Sequence, residues 1–419
     1  KGMEVLDSAK LDVNNKFSFK LDSLELGLYT FKHGAEFQYL YLEPQDSLLL
    51  YLNTWDFDES LIFSGKGRAK KNFLINLWLQ QEQNEKSFKP NFKLDEDGFS
   101  KAIEEGIKKQ LDRYNQFLEN EGEAPSPYFD KLVKAGIYYP FYYLKEMYPR
   151  RHQRLVGIKE KMELSDDFYS YRDQIDINDK SLLDFGFTPL LINTYLYNLA
   201  DEQYMKDPDQ QVFEITYMNT VIDKIEVESF KNSLMAKAVW SSLSNKYVSD
   251  EDSQKIHEFF FANCSDEKYK VELKKSIAQK EKIKCGEAMP KLTAYSLDDS
   301  EVEINDLMKN SGTVIYFWPE DITHVELLSN KLKYLEKKHP DIVFIGIERS
   351  KSPEEWRKFI KSHKLSQNSQ FRISKNSDIY SWYEGDMART IIVNSQGRVE
   401  NGFLFFNDSK LDYYLKTIN

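Results

Sequence analysis

The 419-residue sequence predicts an α+β multidomain chain. An N-terminal antiparallel β-sandwich is expected over 1–67, a central α-helical region over 68–283 and a C-terminal α/β domain over 284–419. Three observations predict this division. Short apolar runs with a period of two crowd the beginning, a spacing of three or four residues rules the middle, and continuous apolar runs alternate with helical stripes at the end. Length agrees, since single domains span about 100–200 residues.

The β region rests on runs bounded by turn residues. Lys16–Leu21 alternates, and Leu28–Phe31, Phe37–Leu42 and Leu48–Leu52 follow at short intervals, separated by Gly34, by Pro44-Gln-Asp46 and by Asn53. Such spacing predicts consecutive antiparallel hairpins closing into a small sandwich or barrel.

From about Arg68 the period lengthens. Phe99, Ile103, Ile107, Leu111, Tyr114 and Leu118 fall on one stripe, with Lys, Glu, Gln and Asp between them, which predicts an amphipathic helix. Pro125-Ser-Pro127 precedes another helical stretch over Tyr128–Tyr148, which Pro140 should kink or split because it lacks an amide hydrogen. Further helices are expected over Pro189–Asp201, Asn219–Asn245 and Asp250–Lys282. Tyr138-Tyr139-Pro140-Phe141-Tyr142-Tyr143 reads as helix packing with hydroxyls at its edge rather than as a ligand site.

After Cys285 the pattern is compact α/β. Strands are expected over Leu292–Leu297 and Val302–Ile304, followed by a short helix at Asn305–Lys309. Val314–Trp318 and Ile342–Ile347 are continuous apolar runs, as strands buried on both faces require. Helices are expected through Leu327, Leu328, Leu332 and Leu335 and over Glu354–His363. A hairpin of Ile391–Val393 and Gly402–Phe406 and a helix from Ser409 complete the domain.

Composition excludes some functions. A net charge of -11 opposes nucleic-acid binding, which needs a basic face. No apolar run approaches the roughly 20 residues that span a bilayer. Two cysteines among 419 residues exclude a disulfide scaffold and a cysteine-rich zinc site. The first residue is Lys1 rather than Met, so a removed leader, including a lipoprotein leader with its lipid anchor, is one expectation.

Gly286-Glu-Ala-Met-Pro290, Val302 and Ile304 before Leu307, the Val314–Trp318 run and Val393-Asn-Ser-Gln-Gly397 resemble the thioredoxin-like domain of extracytoplasmic thiol–disulfide oxidoreductases, the TlpA-like family. Multidomain envelope proteins of that kind join an N-terminal β domain, a helical middle and a thioredoxin-like C-terminus. Leu42-Glu-Pro-Gln-Asp-Ser47 and Phe63-Ser-Gly-Lys-Gly67 are similar to the turns of that β domain.

The resemblance implies a Cys-x-x-Cys turn at the helix following Phe317-Trp318, yet the two cysteine positions hold Ile322 and Val325. The family's cis-proline position holds Ala388, ahead of Arg389-Thr390. Neither Ile nor Val forms a thiolate, the reacting species of disulfide exchange. The expected function is therefore a redox-inactive envelope or periplasmic protein that binds a peptide or protein partner. Trp318, Glu320, Asp321, His324 and Arg389 are its candidate contacts, inferred from the family site.

Pro319–Glu326 also admits a plain reading, in which Thr323 and Glu326 form a helix capping box. Glu320, Asp321 and His324 as an acid/base or metal site is the sharper alternative, at a spacing unlike the known zinc motifs. Cys264 and Cys285 could pair as a structural disulfide, or serve a divergent oxidoreductase, although no Cys-x-x-Cys accompanies them. A purely structural role, with the aromatic-rich middle as the interface, is the third reading. No enzyme signature and no cofactor motif is present.

Overall fold

Residues 27–66 carry four strands, β1 (Gly27–His33), β2 (Glu36–Leu42), β3 (Ser47–Tyr51) and β4 (Ile62–Lys66), with a single helical turn α1 (Phe57–Ser60) before the last. The structure is a computed structural model that describes every residue except 1–4, 22, 34–35, 54–55, 123, 161, 309, 320–321, 350, 375–376, 378–379, 381, 383–388, 409 and 419. For 82–86, 322–324 and 326 it describes the backbone alone.

The expected β-sandwich is not formed. The strands make two separate two-stranded antiparallel sheets, β1–β2 and β3–β4. Their apolar faces pack largely on helices: Tyr41 joins a core with Leu77, Phe129 and Leu132, while Leu40 of β2 and Leu48 and Leu50 of β3 gather with Phe63 of β4 around the helical Ile75 and Leu79. Lys16–Leu21 is not a strand. Phe17 there stacks on Phe31 at 5.7 Å, so an aromatic contact takes the place of a ladder.

Six helices follow: α2 (Arg68–Phe88), α3 (Glu96–Glu121), α4 (Pro127–Val156), α5 (Thr188–Tyr204), α6 (Phe213–Lys224) and α7 (Glu228–Leu243). Helix α3 matches its expected stripe, burying Phe99, Ile103 and Tyr114. Asp95 caps its first turn by accepting from Gly98 N–H, and Gly122 ends it at φ 69°, a conformation that glycine adopts without strain. Helix α4 runs through Pro140 and Pro149 without ending, so Pro140 does not split it. Packing outweighs the lost hydrogen bonds, since Tyr139, Phe141 and Tyr142 on either side of Pro140 are all buried. The tyrosine-rich cluster is thus core, with Tyr142 stacked on Tyr171 at 4.6 Å.

The Glu43–Asp46 turn grips the start of α2. Lys70 Nζ donates to both carboxylate oxygens of Glu43 (2.8 and 2.7 Å), and the buried ammonium of Lys71 pairs with Asp46. The two turn segments noted in the sequence also meet directly, Lys66 Nζ donating to Gln45 Oε1 at 3.3 Å.

The chain divides into two compact units, Lys1–Lys231 and Asn232–Asn419, the division falling within α7. In the second unit α8 (Asp250–Asn263) and α9 (Glu267–Lys280) are separate helices where one stretch was expected. Asp266 splits them by turning its carboxylate onto the N–H groups of Lys268 and Tyr269, an N-cap that opens a new helix.

The remaining elements are β5 (Thr293–Tyr295), β6 (Glu301–Glu303), α10 (Ile304–Leu307), β7 (Thr313–Phe317), α11 (Ile322–Lys338), β8 (Val343–Glu348), α12 (Pro353–Ser362), β9 (Gln370–Arg372), β10 (Arg389–Val393), β11 (Val399–Phe405) and α13 (Leu411–Tyr414). One sheet holds all seven strands in the order β11-β10-β7-β8-β9-β5-β6. Strands β7 and β8 pair in parallel and β10 runs antiparallel to β7. The expected strand–helix–strand–helix succession, closing hairpin and final helix are present. Val314 and Tyr316 feed one core and Ile315 and Phe317 the other. Burial on both faces is why β7 reads as an unbroken apolar run.

Candidate functional site

The candidate site lies where β7 ends, α11 begins and β10 starts. Trp318 extends β7, its N–H donating to the Ile347 carbonyl at 2.9 Å. Its indole points into the core and is 1% exposed. Trp318 Nε1 donates to Gln370 Oε1 (2.9 Å), and Gln370 Nε2 donates to the Tyr316 hydroxyl (2.8 Å). Phe359 lies 5.0 Å from the Trp318 ring, edge on. The side chain expected to face a partner is committed to packing, because a large ring gains most from full burial.

Arg389 is also turned inward, 9% exposed. Its guanidinium carbon sits 3.3 Å from the Phe403 ring centroid and 4.8 Å from that of Phe405. Nη2 donates to Ser276 Oγ of α9 at 3.2 Å. The alternation of β10 sets Arg389 on the same face as Ile391, where it meets Ser276 of α9. Weak hydration of a guanidinium and its attraction to aromatic faces let it remain there.

Val325 is 1% exposed and shares a core with Leu328, Leu332 and Trp356. Ile322 and His324 stand in the first turn of α11. Because the helix opens at Ile322, Thr323 lies inside it rather than ahead of it. The side chains of Thr323 and Glu326, the expected capping box, lie outside what the structure describes. Glu320, Asp321 and Ala388 lie outside the described residues.

The sequence reading missed Glu348. This carboxylate is fully buried at the C-terminal end of β8. Oε1 accepts from the N–H groups of Arg349 and Lys351, both at 3.0 Å, and Oε2 from Lys351 Nζ at 3.1 Å. The signal was an acidic residue closing the apolar run Val343–Ile347. Amides and an ammonium around a buried carboxylate fix the loop between β8 and α12.

Both cysteines are free thiols, so the considered disulfide is not formed in this structure. Cys264 is buried, its Sγ 3.7 Å from the Asp266 carbonyl, and burial pushes its pKa up. Cys285 is exposed, its Sγ donating to the Glu400 carbonyl at 3.2 Å. Desolvation, with the Glu400 charge nearby, raises its pKa as well. Neither thiol lies at the β7–α11 junction. Among the described residues no three His, Cys, Asp or Glu side chains are placed to hold a metal ion. None of the described helices is long and apolar enough to cross a membrane.

No protein-family model and no curated protein matches the sequence. Solved structures match part of it. The thioredoxin domain of a thiol-disulfide oxidoreductase from Bacteroides vulgatus is 20% identical, covering 33% of this chain and 99% of its own, with a TM-score of 0.29. DsbF of MTB is 14% identical, covering 30% of this chain and 95% of its own, with a TM-score of 0.26. These are likenesses of a thioredoxin-like fold over about a third of the chain.

Proposed function

We propose that this chain is a redox-inactive thioredoxin-like envelope protein, and that its second unit binds a peptide or protein partner. The observation that carries the reading is what occupies the two redox positions of the resembled family. One is Ile322, and the other, Val325, is sealed in the core. The two thiols that do exist lie elsewhere, and their raised pKa values keep them in the unreactive protonated form near neutral pH.

The contact surface in this reading is the outer side of α11, not Trp318 and Arg389. Leu327 and Tyr334, seven residues apart on one helical face, are 61% and 58% exposed. An extracytoplasmic location and an envelope partner rest on the family resemblance alone.

The test compares insulin-disulfide reduction by wild type and by Cys264→Ser/Cys285→Ser. Both should stay at the uncatalysed rate. Turnover in wild type that the double variant loses would reinstate the divergent oxidoreductase. Leu327→Glu/Tyr334→Glu should then remove cross-linked partners from envelope extracts without shifting the thermal midpoint; unchanged cross-linking would sink the α11 surface.

A further inference from the structure

Among the described residues the outer edge of β3 is an open hydrogen-bonding edge. Phe63 of β4 turns both its backbone groups away from β3: its N–H donates to Asn72 Oδ1 and its carbonyl accepts from Asn72 Nδ2, each at 2.9 Å. Phe63 is paired with Leu50 and Gly65 with Leu48. In an antiparallel ladder bonded and non-bonded pairs alternate. The N–H and C=O groups of Leu48 and Leu50 therefore also point away from β4, and among the described residues neither backbone has a hydrogen-bond partner.

The side chains along this edge are unprotected too. Leu49, Tyr51 and Ile62 on the outer face are 73%, 71% and 58% exposed. On the inner face Leu48 and Leu50 are only partly covered where they pack on Leu61, Phe63 and Ile75. Ser47–Leu52 contains no proline, no lysine and no charge of either sign. These are the devices that usually blunt an edge strand.

We infer that β3 is a homodimerisation edge, paired antiparallel with β3 of a second copy about a twofold axis through Leu49. The register is self-complementary. The axis sets Leu48 opposite Leu50 of the second copy, so the two outward-pointing residues exchange both N–H···O bonds. Leu49 then faces its own counterpart in the closely spaced non-bonded position. The pairing is isologous, as a twofold requires, and it carries each half-covered inner cluster onto the other. A net charge of -11 opposes self-association, but the uncharged Ser47–Leu52 segment sets no like charges opposite each other. Pairing of a single short strand edge makes a small interface, of the weak, concentration-dependent class.

Sedimentation of the full chain from about 1 μM to about 300 μM, the range of weak association, is the first arm. Wild type should move from 49.5 kDa towards twice that mass. Leu49→Lys sets two ammonium groups face to face and should raise the dissociation constant by about tenfold or more. Its side chain is exposed, so an unchanged circular-dichroism spectrum is expected and checks the fold. The second arm fixes the register in a Cys264→Ser/Cys285→Ser background. Leu49→Cys should oxidise to a disulfide-linked dimer, whereas Tyr51→Cys, displaced from the axis, should not. A wild type that stays monomeric throughout, Leu49→Lys that dimerises as well as wild type, or equal cross-linking at both positions would each overturn the inference.

Discussion

The buried carboxylate of Glu146 grips Arg172 in two parallel bonds, Nε to Oε1 at 2.8 Å and Nη2 to Oε2 at 2.7 Å. Tyr171 adds its hydroxyl to Oε1 at 2.6 Å and Asn198 its amide to Oε2 at 2.6 Å. The guanidinium lies over Tyr169, 4.0 Å from the ring centroid. One carboxylate thus fastens α4 to α5 and to the 3-10 turn at Asp167–Gln174.

Removing it strands Arg172 and Tyr171, while Asn198 keeps its 2.8 Å bond to the Glu146 carbonyl. Glu146→Ala is expected to destabilise the first unit by about 3–5 kcal/mol, the range for breaking a buried pair from one side. Glu146→Gln should cost less, because an amide still accepts. Urea unfolding followed by circular dichroism reads both; an Ala variant within 1 kcal/mol of wild type, taking about that as the limit for an exposed pair, would refute the assignment.

Gly346 is required by the indole network of the second unit. A methyl group there would run into Gln370 Oε1 and stand 2.7 Å from both Trp318 Nε1 and the Tyr316 hydroxyl. Gly346→Ala should therefore cost about 1–3 kcal/mol, as overpacking does. Tryptophan emission should shift to the red as the Trp318 bond to Gln370 loosens. Unaltered emission and stability would show that the network yields freely.

Acid should loosen the first unit through Glu43 and Asp179. Burial pushes both carboxyl groups up, but the hydrogen bonds from Lys70 and Tyr41 to Glu43, and from Lys131 and Ser181 to Asp179, outweigh it and hold both pKa values low. A folded pKa below the unfolded one contributes stability in full above roughly pH 4 and loses it as pH falls through the folded value. Lys70→Met/Lys131→Met should flatten the fall in melting temperature between pH 5 and pH 2. An unchanged slope would remove these two groups from the account.

The thiols should differ in access and agree in reluctance. Iodoacetamide is expected to label exposed Cys285 slowly at pH 7, with a rate still rising above the ordinary thiol pKa of about 8.5. Cys264 should be labelled only after unfolding. Peptide mass mapping over a pH series reads both; rapid labelling of either at pH 7 would contradict the raised pKa.

Periodicity made the second unit legible. β7 and β8 read as buried strands because flanking helices cover both faces, and the stripe of α3 declared its core side. Alternation in the first 67 residues fixed β1, β2 and β3 but not what their apolar faces meet, because a helix satisfies that face as well as a second sheet does. Trp318 and Arg389 stand near the resembled family's site, but the pleat and the Gln370 and Phe403 partners, distant in sequence, turn them inward. The grip of Glu146 on Arg172 spans |i−j| = 26 and leaves no periodic trace. Glu348 was half legible, as a charge closing an apolar run.

Val325 has a consequence for the second unit's dependence on its surroundings. A dithiol site exists in two covalent forms, each with its own packing, so the ambient potential decides which shape a partner meets. With valine in the core beneath α11, that end of the unit has a single covalent form. If the second unit binds a partner as proposed, that partner would meet one covalent surface there rather than an equilibrium between two.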